Sequence, residues 1–281
     1  METTTERRAV WQQVAFPRVT IKDRFWKPRL ESLNRATFKT CLEKCEETGR
    51  ISNFAKAAGL MEGKHEGIFF NDSDVYKLLE GIAYSLTTTP DAALEAEADR
   101  IIGLIAAAQE EDGYLLTYFT LEHPELKWTD MDKHEMYCGG HLIEAAVAYF
   151  EATGKRTLLD VACKLADHYD NTFGVGKRHW VEGHEEIELA LVKLYRVTGE
   201  ARYWKLALWL LEEQGPRSRR RNELESPRLG GGLLPRRRAR EGHRAGDGTR
   251  RARDVLIYGD GGRRACVRGA GVCRRAAPGV A

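Results

Sequence analysis

A helix hairpin punctuated by Thr-Gly recurs in this chain, and it limits the possible fold more than any other feature. Leu142 to Ala152 turns at Thr153-Gly154 into Leu158, Ala162, Leu165 and Tyr169, and Glu185 to Val197 turns at Thr198-Gly199 into Tyr203, Ala207 and Leu210. The two turns lie 45 residues apart, and a Gly-His pair, Gly140-His141 or Gly183-His184, opens each first helix. One hairpin cannot bury its own apolar face and must stack on its neighbours, so the pattern predicts an all-α array. An earlier pair fits the same plan. Val75, Leu78, Leu79, Ile82 and Leu86, then Ala98, Ile101, Ile102, Ile105 and Ala108, repeat at three and four residues around a turn at Thr87 to Asp91. Upstream, Val19 to Ile21 reads as a short strand before a helical stretch from Arg29 to about Glu47. The connections 112–133 and 171–183 are long and rich in Gly, Tyr, Trp and His, the kind that line a pocket at one end of a helical barrel.

This grammar stops at Gly215. Residues 1–214 carry 26 Lys+Arg against 36 Asp+Glu, whereas residues 215–281 carry 18 against 6, with no lysine and with 13 of the 27 glycines. The net charge of +2 therefore describes neither piece, and the acidic body is not a nucleic-acid binder. The predicted organisation is a polar leader at 1–15, a helical domain at 16–214 and a disordered Arg/Gly-rich tail at 215–281. Composition offers two origins for the tail: a basic arm for nucleic acid, or out-of-frame translation of a GC-rich gene, which yields Arg, Gly, Ala and Pro with almost no Lys. Reading His243 to Gly262 one base forward permits an amphipathic helix that opens with Gly-His and closes with Thr-Gly, the grammar of the upstream repeats. That favours the frameshift.

No segment approaches 18 consecutive apolar residues and the first ten residues hold no apolar run, which predicts neither a membrane span nor a secretory signal, and hence a cytoplasmic protein. Six dispersed cysteines then read as reduced thiols. Cys41 and Cys45 are four apart on a helix, but no second Cys/His pair lies near enough in sequence to complete a tetrahedral metal site.

The residues able to carry chemistry gather near the starts of first helices: His134-Glu135, His141 and Glu144, then His184, Glu185, Glu186 and Glu188. Equivalent helix ends share one rim of an α/α barrel, so His134, His141 and His184 are expected to meet there. A helix N-terminus keeps a nearby imidazole neutral, which suits hydrogen bonding to sugar hydroxyls, although a His beside Gly is often only a cap. Asp72, Ser73 and Asp74 sit at a helix start, where capping is the default role. Tyr114, Tyr118 and Phe119 suit either sugar stacking or burial. No Ser-His-Asp, P-loop or dinucleotide glycine motif occurs.

Five stretches carry a family resemblance: Val19 to Trp26, Asp72 to Lys77, Gln109 to Leu115, His134 to Tyr149, and Gly183 to Gly199. Together they resemble glycoside hydrolase family 127, the β-L-arabinofuranosidases, over about residues 16–214. The resemblance implies an incomplete (α/α)6 barrel and, for the family, retaining hydrolysis of non-reducing terminal β-L-arabinofuranosides in arabinose-containing glycans. It also implies a cysteine nucleophile on a zinc ion held by one Glu and three Cys, with a separate Glu as acid/base. Those family motifs lie beyond the matched region, so neither zinc nor catalytic residues are expected on this chain, which is expected to be an inactive fragment. What carries over is the substrate side: His134 and His184, with His141 and Phe70 less securely placed. Two other readings stay open on the residues alone, an α/α scaffold with a nucleic-acid-binding tail and a different α/α-barrel sugar hydrolase. Sequencing the gene across the codons for Glu213 to Arg221 is expected to show one inserted or missing base; an intact frame there would make the tail a genuine basic arm.

Overall fold

The computed structural model describes residues 14–213 and three short strands further on, at 256–258, 264–268 and 271–272. The chain divides into two units, Met1–Gln214 and Gly215–Ala281. In the second unit Leu256–Tyr258, Arg264–Arg268 and Gly271–Val272 pair as an antiparallel ladder in the order given. The rest of the expected disordered tail lies outside the described residues, as does most of the polar leader.

The first unit is helical. Its elements are α1 (Trp26–Ser32), a π turn (Leu33–Thr37), α2 (Phe38–Glu47), α3 (Arg50–Ala57), α4 (Asp72–Thr88), α5 (Ala92–Ala108), α6 (Thr117–Glu122), α7 (Glu135–Thr153), α8 (Thr157–Thr172), α9 (Ile187–Thr198) and α10 (Ala201–Glu213). The first helices of three successive hairpins, α4, α7 and α9, lie side by side, and α5, α8 and α10 back them as a second layer. This is the packing of an α/α toroid. No described helix is long and apolar enough to cross a membrane.

Burial follows position in the layers. α8 presents one stripe, Leu158, Val161, Ala162, Leu165 and Tyr169, and leaves Asp160 and Lys164 outside. α7 lies between neighbours on several sides, and Leu142, Ile143, Ala145, Ala146, Val147, Ala148 and Tyr149 are all buried. A helix apolar nearly all round is a central one.

The Thr-Gly turns share one chemistry. Gly154 and Gly199 have φ near 75° (75° and 77°), and their N–H groups donate to Phe150 and Tyr195 carbonyls at 2.8 Å. Thr153 and Thr198 hydroxyls donate back to Tyr149 and Leu194 carbonyls at 2.7 and 2.8 Å, and each hydroxyl accepts the N–H two residues on at 3.2 Å. The structure adds a related turn: Thr48-Gly49, with Gly49 at φ 74°, joins α2 to α3, and the Thr48 hydroxyl again donates four residues back, to the Lys44 carbonyl, while the Gly49 N–H donates to that of Glu46 at 3.1 Å.

Two local expectations are corrected. Val19 to Ile21 forms no strand; a short 3₁₀ turn, Phe16–Arg18, precedes it, and Val19 and Ile21 lie in the open with no described strand of this unit beside them. Nor do the Gly-His pairs open helices: α7 begins seven residues before Leu142, at Glu135, so Gly140-His141 sit inside it, while Gly183-His184 precede α9. The glycines of α7 mark contacts rather than a boundary. A Cβ on Gly139 would meet the Tyr169 hydroxyl at 2.0 Å, and one on Gly140 would meet Glu186 Cγ at 2.6 Å. Gly139→Ala should therefore lower stability by about 1–3 kcal/mol despite its better helix propensity. Gly103→Ala, in α5 with open space around the added methyl, should raise stability by about 0.5–1 kcal/mol; urea midpoints of the two variants check both signs.

Candidate sugar-binding rim

The four residues singled out from the sequence come together at the N-terminal ends of the inner helices. Phe70 precedes α4, His134 is the N-cap of α7, His184 lies ahead of α9, and His141 faces the same side from the second turn of α7. The Phe70 ring stacks on His134 with centroids 5.1 Å apart and planes at 26°. His134 Nε2 lies 3.2 Å from His184 Nε2. Tyr137, one turn into α7, sets its ring edge-on to His141 at 4.6 Å and tilted against His184 at 4.9 Å. Its hydroxyl accepts a 2.7 Å hydrogen bond from Lys77 of α4. Tyr137 and Lys77 were absent from the sequence-derived set although both fall in its motifs, because nothing in spacing alone shows that α4 and α7 touch at that height.

The local backbone explains why these side chains point where they do. His134 adopts a left-handed conformation, φ 60°, shared among the described non-glycine residues only with Trp128. Such geometry is uncommon and concentrates at ligand sites. It is braced by Glu135, which is 2% exposed and accepts from Trp128 N–H at 2.7 Å and from the Tyr114 hydroxyl at 2.6 Å. Glu182, also buried, accepts from the Met136 N–H at 3.2 Å and so ties the α8–α9 connection to the first turn of α7. Burial pushes both carboxyls up to about 7 against the lowering effect of these hydrogen bonds. Their lone pairs are taken up by backbone N–H groups and, for Glu135, by the Tyr114 hydroxyl as well, which makes them structural pegs.

The same holds for Asp72. Capping of its own helix is not seen; it is fully buried and reaches across to Thr117, accepting from its N–H at 2.8 Å and its hydroxyl at 2.6 Å, which fixes the start of α6. Of the aromatic trio, Tyr114 and Phe119 are buried and Tyr118 is half-buried.

Below the rim, His141, Glu144 and Glu186 bring ligand atoms within 4.8 Å of one another, a group of a kind that can hold a cation. Glu144 is already ion-paired with Lys193 of α9. His141 Nδ1 approaches Glu186 Oε1 to 3.2 Å, yet both groups are driven toward neutrality. Burial, then Lys77 and His184, lowers His141 to about 4, and burial, then Glu144 and Glu80, raises Glu186 to about 7. The approach is therefore not that of a charged imidazolium to a carboxylate: His141 is neutral at neutral pH, and Glu186 is shifted toward its protonated form. Glu188, buried on α9, is likewise raised to about 7 by burial, and Glu185 is exposed.

The four cysteines among the described residues do not form a thiolate metal centre. Cys138 is fully buried, its thiol donates toward the Phe70 carbonyl at 3.7 Å, and burial holds its pKa well above the ordinary value. Cys45 is raised to about 11 and Cys163 is also raised, by burial in both cases. No cysteine joins the metal-capable group among the described residues. A groove of about 650 Å³ lies elsewhere, between Phe38, Leu42 and Glu46 on one side and Asp91, Leu94 and Glu97 on the other, and contains no rim residue.

With that geometry in place, comparison with known proteins is decisive. The profile described as beta-L-arabinofuranosidase, GH127 catalytic domain, matches residues 18–230. The chain belongs to that family. It is 47% identical over 174 residues to the non-reducing end beta-L-arabinofuranosidase of Bifidobacterium longum subsp. longum, a match covering 59% of this chain and 26% of that enzyme. Among solved structures it resembles Ara127N, a GH127 beta-L-arabinofuranosidase from Geobacillus stearothermophilus T6, with 43% identity and a TM-score of 0.70 over 73% of this chain and 34% of that one. A second GH127 beta-arabinofuranosidase gives 42% identity and a TM-score of 0.67 over 71% and 33%. The chain thus spans about a quarter to a third of the length of these GH127 relatives.

The Glu186 environment gives a pH test. Its folded pKa, about 7, lies above the ordinary 4.5, so the folded state holds the extra proton across that interval and stability falls as pH rises through it. His141, with a folded value of about 4 against 6.5, works oppositely, costing stability as pH falls from 6.5 toward 4. Glu186→Gln removes only the first effect, so its urea midpoint should gain on the parent's as pH rises from about 5 to 7.5. A constant gap across that range would contradict the burial assignment.

Proposed function

We propose that this chain carries the substrate side of a β-L-arabinofuranosidase site. The carrying observation is the convergence of His134, His184, Tyr137 and Phe70 on one rim of the inner helices. Imidazoles and a phenol are groups that hold sugar hydroxyls, and the Phe70 ring backing His134 limits the motion of that imidazole. The relatives named above act on β-L-arabinofuranosides, which supports a non-reducing terminal L-arabinofuranosyl group, as found in arabinose-containing glycans, as the ligand.

Hydrolysis is a separate matter. The zinc-thiolate chemistry implied by the family resemblance needs clustered cysteines, and those described here are dispersed, with three of the four thiols raised by burial. The buried Glu135 and Glu182 are occupied with backbone N–H groups. No residue of this chain is therefore assigned as nucleophile or acid/base, and these 281 residues are read as an inactive portion of the catalytic domain, with residues 215–281, of frameshift composition, contributing nothing to it. The contributions left to the described residues are binding and orientation.

The expected result with p-nitrophenyl β-L-arabinofuranoside is no hydrolysis above background, both for the full chain and for residues 1–214, and no stoichiometric zinc by metal analysis. Methyl β-L-arabinofuranoside should still perturb the histidine resonances of the full chain, and His184→Ala should abolish that response. Turnover by the full chain together with bound zinc would overturn the reading of an inactive portion; unmoved histidine resonances would overturn the sugar rim.

A further inference from the structure

The left-handed turn at His134 folds its ring back over the preceding residues, so that Nδ1 lies 2.7 Å from the Asp132 carbonyl oxygen. A carbonyl can only accept, so Nδ1 carries a hydrogen. In a neutral imidazole the other nitrogen is then a lone pair. That lone pair, on Nε2, lies 3.2 Å from Nε2 of His184, and a hydrogen bond between them requires His184 to be the donor. The donor's remaining nitrogen, Nδ1, is thereby left as an acceptor. Three rings hold the assembly in place: Phe70 stacked on His134 at 5.1 Å, with Phe69 and Tyr137 edge-on at 5.5 and 5.4 Å.

We propose that the Asp132 carbonyl, His134 and His184 form a relay that fixes imidazole tautomers, so that His184 presents Nδ1 to the ligand as a hydrogen-bond acceptor and selects a ligand bringing a hydroxyl hydrogen to that point. His184 is the contact and His134 a positioning residue that acts through it. The proposal rests on the sugar-rim reading for the nature of the ligand, but the tautomers are fixed by the protein alone. It also accounts for the αL residue ahead of α7: an ordinary extended N-cap would not turn the ring toward Asp132, and the direction of the whole relay is set by that first hydrogen bond. Asn is among the residues that tolerate this conformation, so His134→Asn removes the ring while keeping the turn.

The test is ¹⁵N NMR of the full chain with labelled histidine at about pH 8, where imidazole is neutral. His134 should show a protonated, pyrrole-type Nδ1 and a bare, pyridine-type Nε2, and His184 the reverse, with a scalar coupling between the two Nε2 nuclei across the hydrogen bond. His134→Asn should lose the coupling, and His141→Gln should keep it. Methyl β-L-arabinofuranoside should shift His184 Nδ1 in the direction of a hydrogen-bonded acceptor. A bare Nδ1 on His134, or no coupling in the parent chain, overturns the relay whatever the sugar does. A correct pair of tautomers with no shift on adding the sugar leaves the relay's internal order in place but overturns its role in selecting a hydroxyl.

Discussion

The close approach of neighbouring helices to α7 is the contact on which the rest of the structure depends. Gly139 and Gly140 leave no room for a methyl group, because the Tyr169 hydroxyl of α8 and Glu186 at the start of α9 occupy the space where a side chain would stand. The Tyr169 hydroxyl lies 3.4 Å from the carbonyl of Glu135, so one small-residue patch brings in α8 and α9 together. α7 is thus gripped at its N-terminal end, which is also the end that carries His134 and Tyr137. Packing and site are set by the same two glycines.

That grip explains why the polar groups near the rim divide into two sets. Asp72, Glu135 and Glu182 are buried within the connections and hold backbone N–H groups of Thr117, Trp128 and Met136. They replace water for loops that must cross the ends of helices without leaving donors unpaired. The imidazoles, by contrast, are attached to the pieces so held and keep polar atoms directed at one another and at the space above α4, α7 and α9. A rigid frame carrying a few convergent polar groups is what a small-molecule subsite requires.

Much of this was legible in the sequence. The 3.6-residue periods of α4, α5 and α8 and the Thr-Gly turns read directly, because each is a local pattern in which one residue type performs one backbone task. The meeting of His134, His141 and His184 was legible through the hairpin period, which puts corresponding helix ends on one rim. The start of α7 was not, since Gly139-Gly140 looks like a boundary until Tyr169, some thirty residues away in sequence, is seen to need that space. Val19 to Ile21 has strand composition but no strand of its own unit to pair with among the described residues. Asp72 looked like a cap because the residue that captures it, Thr117, belongs to another connection. In each case the missing information was a tertiary partner.

The inner layer also shows why burial alone does not make the axis of such an array apolar. Cys138, Leu142, Ala145 and Tyr149 of α7 are buried, while Glu144 and His141 face Lys193 and Glu186 of the α9 region. Glu80 of α4 is close enough to Glu144 for their charges to raise its pKa further. Three carboxyls with the Lys77 and Lys193 ammoniums nearby cannot all ionise cheaply, and burial with the neighbouring charges shifts Glu186 up and His141 down, each toward its uncharged form. An apolar lining in place of this group would offer nothing beneath the histidine rim. The polar lining costs stability at neutral pH and places adjustable donors and acceptors under the one surface where the imidazoles meet.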